Sequence, residues 1–248
     1  MTLKMIFDDA RQFFQIIDAL TILDEANIFA TKEGLTLRTM DPSRVAMVDF
    51  QLPPTSFHTY ECDGNFRLGL NILETKRILS RMKGANPLAI TLNGSKLDFA
   101  FATPALEKNF SLALLDLGET DYPPPKMNVP VTMRMTSAAY SEILKDAAII
   151  DDYLVVAADQ KKQTVIFRSS NEAKEFSVAL DEHNEAIIEF TVKESARSAY
   201  SLYYLAFFDQ PKLAELIRIS FSADMPLLIE YPVLTGKLCY YLSPRIVT

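Results

Sequence analysis

Few residues in this chain could do chemistry, and their spacing limits what that chemistry would be. Two carboxylate pairs stand out, Asp8-Asp9 and Asp151-Asp152. Paired acids can divide acid–base work between them, but they need a nucleophile or a base within reach. No such partner set lies near either pair. The histidines, His58 in "TSFHTYEC" and His183 in "DEHNE", have no cysteine or second histidine at metal-ligand spacing, and both read as surface or turn residues. Cys62 and Cys239 lie far apart in apolar alternating stretches, which reads as two buried, reduced thiols. The seven glycines are ungrouped. Neither GxGxxG nor GxxxxGK[ST] occurs, and Gly236-Lys237 lacks the upstream glycine of a phosphate loop. The expectation is therefore no enzyme, no catalytic residue, no cofactor and no metal.

The elements that would carry these residues explain them better than catalysis does. Asp8 or Asp9 precedes "ARQFFQIIDAL", where an acid caps free amides and meets the helix dipole. Ala10, Phe13, Phe14, Ile17 and Leu20 form the apolar stripe of that helix. "LETKRILSRMK" repeats the pattern with Ile78, Leu79 and Met82, "SAAYSEILKDAAI" with Tyr140, Ile143, Leu144 and Ala147, and "SLYYLAFFDQ" with Leu202, Leu205 and Phe208. Asp151-Asp152 falls in a turn before the strand "YLVVAAD". Elsewhere period-2 alternation dominates. "IFATKEGLTLRTMD" reads as a hairpin around Lys32-Glu33-Gly34, and "LAITLNGSKLDFAFA" as one around Asn93-Gly94. "RVAMVDFQLP" and "NFSLALLD" add strands to the first half. "VTMRM", "TVIFRSS", "EFSVAL", "AIIEFTV", "LIRISFSA", "PLLIEYPV" and "KLCYYLSP" build the second. The fold class is α+β, a framework of short antiparallel strands with four amphipathic helices.

The order of these elements repeats. The first helices of the two halves start near residues 8 and 137 and the second near 72 and 201, each pair displaced by about 129 residues. Between the halves lies "LGETDYPPPKMNVP". The expected domains are 1–116 and 131–248, each an antiparallel sheet with two helices, joined by a connecting loop at 117–130. Prolines keep such a loop extended and lower the entropy lost in ordering it. Tyr122 and Met127 are apolar on a segment expected to be exposed.

Composition bounds the function further. A chain that is 49% hydrophobic and 23% charged folds as a soluble protein. No apolar run approaches the roughly 20 residues of a membrane helix, and the N-terminus has no signal layout, so the cytosol or a nucleus is the expected location and no membrane partner is expected. A net charge of −7 argues against coating DNA with the whole surface, yet leaves room for one basic face.

The residues then resemble a known family. "LTLRTMDPSRVAMVDFQLP", "YYLAFFDQ", "IRISFSADMPLLIEYPV" and "KLCYYLSPRI" are similar to the DNA sliding clamps of the proliferating cell nuclear antigen type, found in archaea and eukaryotes. The resemblance covers essentially the whole chain, and "SADMPL" with "YYLSPRI" at this separation is its most specific part. It implies the DNA clamp fold and a ring-forming, head-to-tail trimer with the helices lining a hole around duplex DNA, bound without regard to sequence. It also implies a processivity factor that tethers polymerase, flap endonuclease and ligase through short docking motifs. A separate clamp loader would open the ring.

Residue by residue, the resemblance implies three sets. Arg11, Lys76, Arg77, Arg81, Lys83, Lys145 and Lys212 would face phosphates, with 76–83 the one real cluster. A solvated helix face explains each lone charge equally well. Glu142 and Tyr203 stand where the family often carries a basic residue, so the lining is expected to be only weakly positive, and either a homotrimer or a heterotrimer with paralogous subunits fits. Phe110, Leu112 and Leu114 would meet Phe176, Val178 and Leu180 across the subunit interface, although the same alternation fits interior strands. Met40, Arg44, Val45, Tyr122, Met127, Val129, Pro226, Tyr241, Ser243, Pro244 and Arg245 would form the docking pocket, which takes an aliphatic residue and paired aromatics. Met40 and Val45 read equally as core. The other readings are a specialised damage-response clamp, a non-DNA protein-interaction module, and a hydrolase or transferase with an unrecognised site.

Overall fold

The computed structural model describes residues 2–82, 86–103, 106–118, 122–123 and 125–246. Lys83 and parts of the connecting segment, 119–121 and 124, lie outside the described residues. The chain divides into two compact units. One comprises Met1–Pro42, Val48–Tyr122 and Val233–Leu238, the other Ser43–Met47, Pro123–Pro232 and Cys239–Thr248.

The first half runs β1 (Leu3–Phe7), α1 (Ala10–Ala19), β2 (Glu25–Thr31), β3 (Gly34–Met40), β4 (Ala46–Leu52), β5 (Thr59–Cys62), β6 (Phe66–Asn71), α2 (Ile72–Leu79), β7 (Leu88–Asn93), β8 (Lys96–Ala102) and β9 (Glu107–Ala113). Its strands neighbour one another in two runs, β5-β1-β7-β8-β9 and β4-β3-β2-β6. The second half runs β10 (Val131–Thr136), α3 (Ser137–Ala148), β11 (Tyr153–Asp159), β12 (Thr164–Ser170), β13 (Glu175–Leu180), β14 (Ile187–Val192), β15 (Ala196–Ser201), α4 (Leu202–Phe208), β16 (Leu216–Phe221), β17 (Leu227–Val233) and β18 (Gly236–Leu242). Its runs are β14-β10-β16-β17-β18 and β13-β12-β11-β15. Adding nine to every strand number of the first half gives the second. The helices start at 10 and 137, and at 72 and 202, so both shifts lie near the 129 residues expected.

Each helix exists for local reasons. Asp9 caps α1 by accepting the Arg11 amide at 2.9 Å, and Asn71 caps α2 by accepting the Glu74 amide at 2.8 Å. Buried Phe13 packs α1 onto β1 through Phe7, with ring centroids 5.1 Å apart. The buried stripe of α1 is rotated slightly from the expected one: Ile16 is buried and Phe14 only half-buried. The other difference is length. α2 closes at Leu79, because the Arg81 amide bonds back three residues to Ile78 at 3.1 Å and the Ser80 hydroxyl bonds to the Arg77 carbonyl at 2.7 Å. On α3 and α4 the expected residues, Tyr140, Ile143, Leu144, Ala147, Leu202, Leu205 and Phe208, are all buried.

The strands follow the alternation, with a tight β7–β8 turn in which Gly94 takes a left-handed φ of 59°. Four strands lack a clear sequence signal. β1, β5, β6 and β15 are short or carry charged and small residues, as in "ARSAYS". Cys239 is buried as expected. Cys62 is only half-buried, because β5 ends its run of strands and is covered on one side alone; its thiol donates to the Gly64 carbonyl at 3.2 Å. In the second unit the core holds Tyr140, Tyr200, Tyr231 and Tyr240 at full burial. Tyr231 donates to the Phe208 carbonyl at 2.6 Å and Tyr200 to that of Met225 at 2.9 Å, so each buries a ring without orphaning its hydroxyl. Burial pushes the Tyr200 phenol up to about 12.

Candidate functional site

The helix cations are more fully balanced than a count of Lys and Arg implies. Asp9 grips the exposed Arg11 guanidinium twice, at 2.8 Å to Nε and 2.5 Å to Nη2. That side-chain bond holds the Asp9 carboxyl below its usual range and raises Arg11. Lys76 reaches from α2 to Asp18 on α1 at 2.6 Å, which ties two helices of the first unit together and leaves the amine half-buried. Arg77 pairs with Glu74 at 2.8 Å on the exposed face of its own helix. Arg81 sits just past the end of α2, not on its polar face, and is exposed. Among the described residues neither Arg81 nor Lys212 has a carboxylate at ion-pair distance. Lys145 is exposed on α3 and lies in the field of Asp209. Burial raises the Asp209 carboxyl, against the opposing hydrogen bond from Ser141 and charge of Lys145. A sequence search for positive charge finds the cations and misses Asp18, whose partner lies a whole sheet crossing away.

The two strand ends singled out by alternation are both edges. β9 ends the run β5-β1-β7-β8-β9, and β13 ends β13-β12-β11-β15. Phe110 and Leu112 are half-buried on one face of β9, while Asn109, Ser111 and Ala113 are exposed on the other. β13 repeats this with Phe176 and Val178 half-buried and Ser177 and Ala179 exposed. Two assignments shift: Leu114 follows the end of β9, and Leu180 is buried in its own unit. Charge, a usual protection of an open edge, is confined to the start of each strand, Glu107 and Lys108 on β9 and Glu175 on β13; from Asn109 to Ala113 and from Phe176 to Leu180 there is neither charge nor proline.

The docking candidates fall in both units. Met40 closes β3 and is half-buried. In the second unit Arg44 is exposed with a left-handed φ of 58°, and next to it the Val45 carbonyl accepts the Ser243 amide at 2.9 Å. The structure thus brings Val45 together with the segment after β18. Tyr241, Ser243, Pro244 and Pro226 are half-buried there, as are Met127 and Val129 on the connecting segment and, in the first unit, Tyr122. Arg245 is exposed but tethered at both backbone and side chain. Its Nη1 donates to Asp152 Oδ1 at 2.6 Å, its Cζ lies 5.5 Å from the centre of the Tyr153 ring, and its amide donates to the Ala199 carbonyl at 2.7 Å. Asp152 gave no sign of this in the sequence, since it stands in an ordinary turn remote from the C-terminal segment.

Comparison with known proteins identifies the family. Residues 2–116 match the family described as proliferating cell nuclear antigen, N-terminal domain, and residues 125–246 match proliferating cell nuclear antigen, C-terminal domain. The chain belongs to the proliferating cell nuclear antigen family. A relative from Thermococcus sibiricus, described as "DNA polymerase sliding clamp", is 30% identical over 251 residues and covers 99% of each chain. One of the same description from Nitrosopumilus maritimus is 31% identical over 246 residues, covering 96% of this chain and 95% of its own. The crystal structure of the proliferating cell nuclear antigen from Thermococcus kodakaraensis superposes with a TM-score of 0.92 at 25% identity, covering 98% of this chain and all of that one. The fold and the function read from the residues, a DNA sliding clamp that acts as a processivity factor, are those of this family. No helix among the described residues is long and apolar enough to cross a membrane.

Proposed function

We propose that this chain is a non-catalytic clamp subunit that joins two others head to tail, β9 of one against β13 of the next, and so encircles duplex DNA. The observation that carries this reading is the pair of open edges, uncharged along Asn109–Ala113 and Phe176–Leu180. Each presents a row of unpaired amides and carbonyls that a second strand satisfies, and a head-to-tail contact between different edges closes into a ring when the rotation allows. Phe110, Leu112 and Leu114 would meet Phe176, Val178 and Leu180 at that joint. Domain boundaries at 116 and 131 leave 117–130 as the connector.

In this reading Arg81 and Lys212 are the most available phosphate ligands. Arg11, Lys76, Arg77 and Lys145 contribute a field already partly balanced by acids, and Lys83 is a further phosphate-facing cation of the 76–83 stretch. The contacts carry no sequence information, as sliding requires. Met40, Arg44, Val45, Tyr122, Met127, Val129, Pro226, Tyr241, Ser243, Pro244 and Arg245 serve as the docking surface for polymerase, flap endonuclease and ligase, each through a short motif with an aliphatic residue and paired aromatics. A thioether beside such a pocket adapts to several partners. A separate loader opens the ring, and the protein works on the nucleoid or in a nucleus.

Light scattering on the purified chain tests the assembly. A mass near three times 27.9 kDa is the homotrimer. A monomer that becomes a trimer only with paralogous subunits is a heterotrimer member. A monomer that joins no clamp subunit and is not retained on closed circular DNA removes the ring reading.

A further inference from the structure

The same hydrogen bond recurs in both units, on the same residue of the fold. In the first, the Leu115 amide, just past β9, donates to the Gly69 carbonyl of β6 at 2.8 Å. In the second, the Arg245 amide, just past β18, donates to the Ala199 carbonyl of β15 at 2.7 Å. Gly69 and Ala199 each lie two residues before the N-cap of the following helix, Asn71 and Ser201. Each unit therefore has a seat for an extended segment along the outer side of its sixth strand.

The seats are secured differently. Arg67 on the first-unit strand binds Asp116 on the seated segment at 3.1 Å, and the Asn27 amide adds bonds to the Leu117 and Gly118 carbonyls at 3.3 and 3.1 Å. In the second unit the charges are exchanged: the cation, Arg245, is on the segment and the anion, Asp152, is on the body. The Asp152 backbone is tied at both its carbonyl and its amide. Its carbonyl accepts the Leu202 amide at 2.9 Å and its own amide donates to Asp151 Oδ1 at 2.7 Å. Tyr153 beside it donates its hydroxyl to the Ser170 carbonyl at 3.0 Å, which fixes the ring under the guanidinium. Each backbone hydrogen bond offsets the ordering of about one residue, so the Ser243 amide on the Val45 carbonyl at 2.9 Å and the bridge at Ala199 do not by themselves hold the whole run Ser243–Ile246. Ile246 is 90% exposed and anchors nothing.

We propose that Asp152, with Tyr153, is a positioning residue for the docking surface: it clasps Arg245 and so lays Ser243–Ile246 along β15 as the C-terminal lip against which a partner's extended motif binds. This rests on the docking role proposed above for Ser243, Pro244 and Arg245. Asp152 touches no partner itself.

The test uses the full-length chain and a fluorescent peptide carrying one aliphatic residue followed by two aromatics. Asp152→Ala and Arg245→Ala are each expected to weaken peptide binding about three- to tenfold, with the double variant no weaker than either single one. Asp152→Glu, which keeps the charge, is expected to restore most of the affinity. Amide hydrogen exchange should quicken at Ser243–Ile246 in Asp152→Ala while β11 and α4 stay protected, because the Asp152 carbonyl is untouched. Unchanged peptide affinity in Asp152→Ala, or unchanged exchange in the tail, overturns the proposal. A wild-type chain that binds no such peptide overturns the docking reading first, and this proposal with it. Wild-type binding with indifferent variants overturns this proposal alone.

Discussion

At the scale of single residues, burial and charge pull against each other most plainly at Asp209. Burial is the largest influence on this carboxyl and raises it above 3.8. The native state therefore holds the proton longer than the unfolded chain does. The burial penalty is absent below pH 3.8 and grows as pH rises through the native value. Asp209→Asn keeps an acceptor for the Ser141 hydroxyl and removes the half-buried charge. It is expected to melt a few degrees above the wild type at pH 7 and to lose that advantage below pH 3.8, measured by thermal scans at both values. A variant that melts lower at pH 7 would mean that Ser141 and Lys145 outweigh burial. At this scale the sequence was legible wherever a residue acts on its own neighbours. Asp9 as a cap follows from an acid ahead of an amphipathic stripe. Lys76 with Asp18, and Asp152 with Arg245, do not follow, because in each pair the partners are brought together only by the fold.

Between residues and the whole stand the strands and helices. Alternation is a good guide to a strand that is half covered, and it located β9 and β13. It is silent about which strands end a sheet, since an edge and an interior strand with one buried face share the same pattern. β5 and β15 escaped notice because four to six residues with charged or small side chains make too little of a pattern, whereas β1 in "LKMIF" and β6 in "FRLGLN" carry the apolar pattern but are short and lead at once into a helix. α2 appeared too long because Arg81 and Met82 continue the helical spacing after the backbone has turned out of it. If β9 and β13 pair between subunits, Leu112→Lys and Val178→Lys should each place a charge at that joint without touching a core residue, both being only half-buried. The expected result is a single-chain mass by light scattering, with circular dichroism and melting of the separated subunit retained. A variant that keeps the wild-type mass argues against this pairing.

For the molecule entire, charge is the quantity that decides how DNA is held. A chain of net −7 that spends Asp9, Asp18 and Glu74 on its own helix cations is expected to hold DNA through few phosphates. The logarithm of affinity should fall with the logarithm of salt by about 0.9 for each phosphate neutralised. Arg81→Ala, removing a cation with no carboxylate at ion-pair distance among the described residues, is expected to flatten that slope by about this amount for each phosphate it leaves without a cation. Arg77→Ala should flatten it less, because Glu74 already screens Arg77. Equal effects on DNA binding titrated over salt would show that the Glu74 pair opens on DNA. The two-fold plan of the chain was legible here from helix spacing alone, though residue identity between the halves is weak.

Gly69 and Ala199 show how that weakness comes about. A side chain built at Gly69 would place its first carbon 2.1 Å from the Leu115 carbonyl oxygen, a backbone atom with nowhere to retreat. The same seat in the other half already carries a methyl group at Ala199. Natural variation at corresponding places thus runs under different prohibitions: one half tolerates only the absence of a side chain beside its Arg67–Asp116 pair, the other admits a methyl group beside a pair of the opposite sense, Asp152 with Arg245. Two copies of one plan that answer to different rules lose their common letters quickly while keeping their common shape, and a crossover between the halves would carry the wrong residue into each seat.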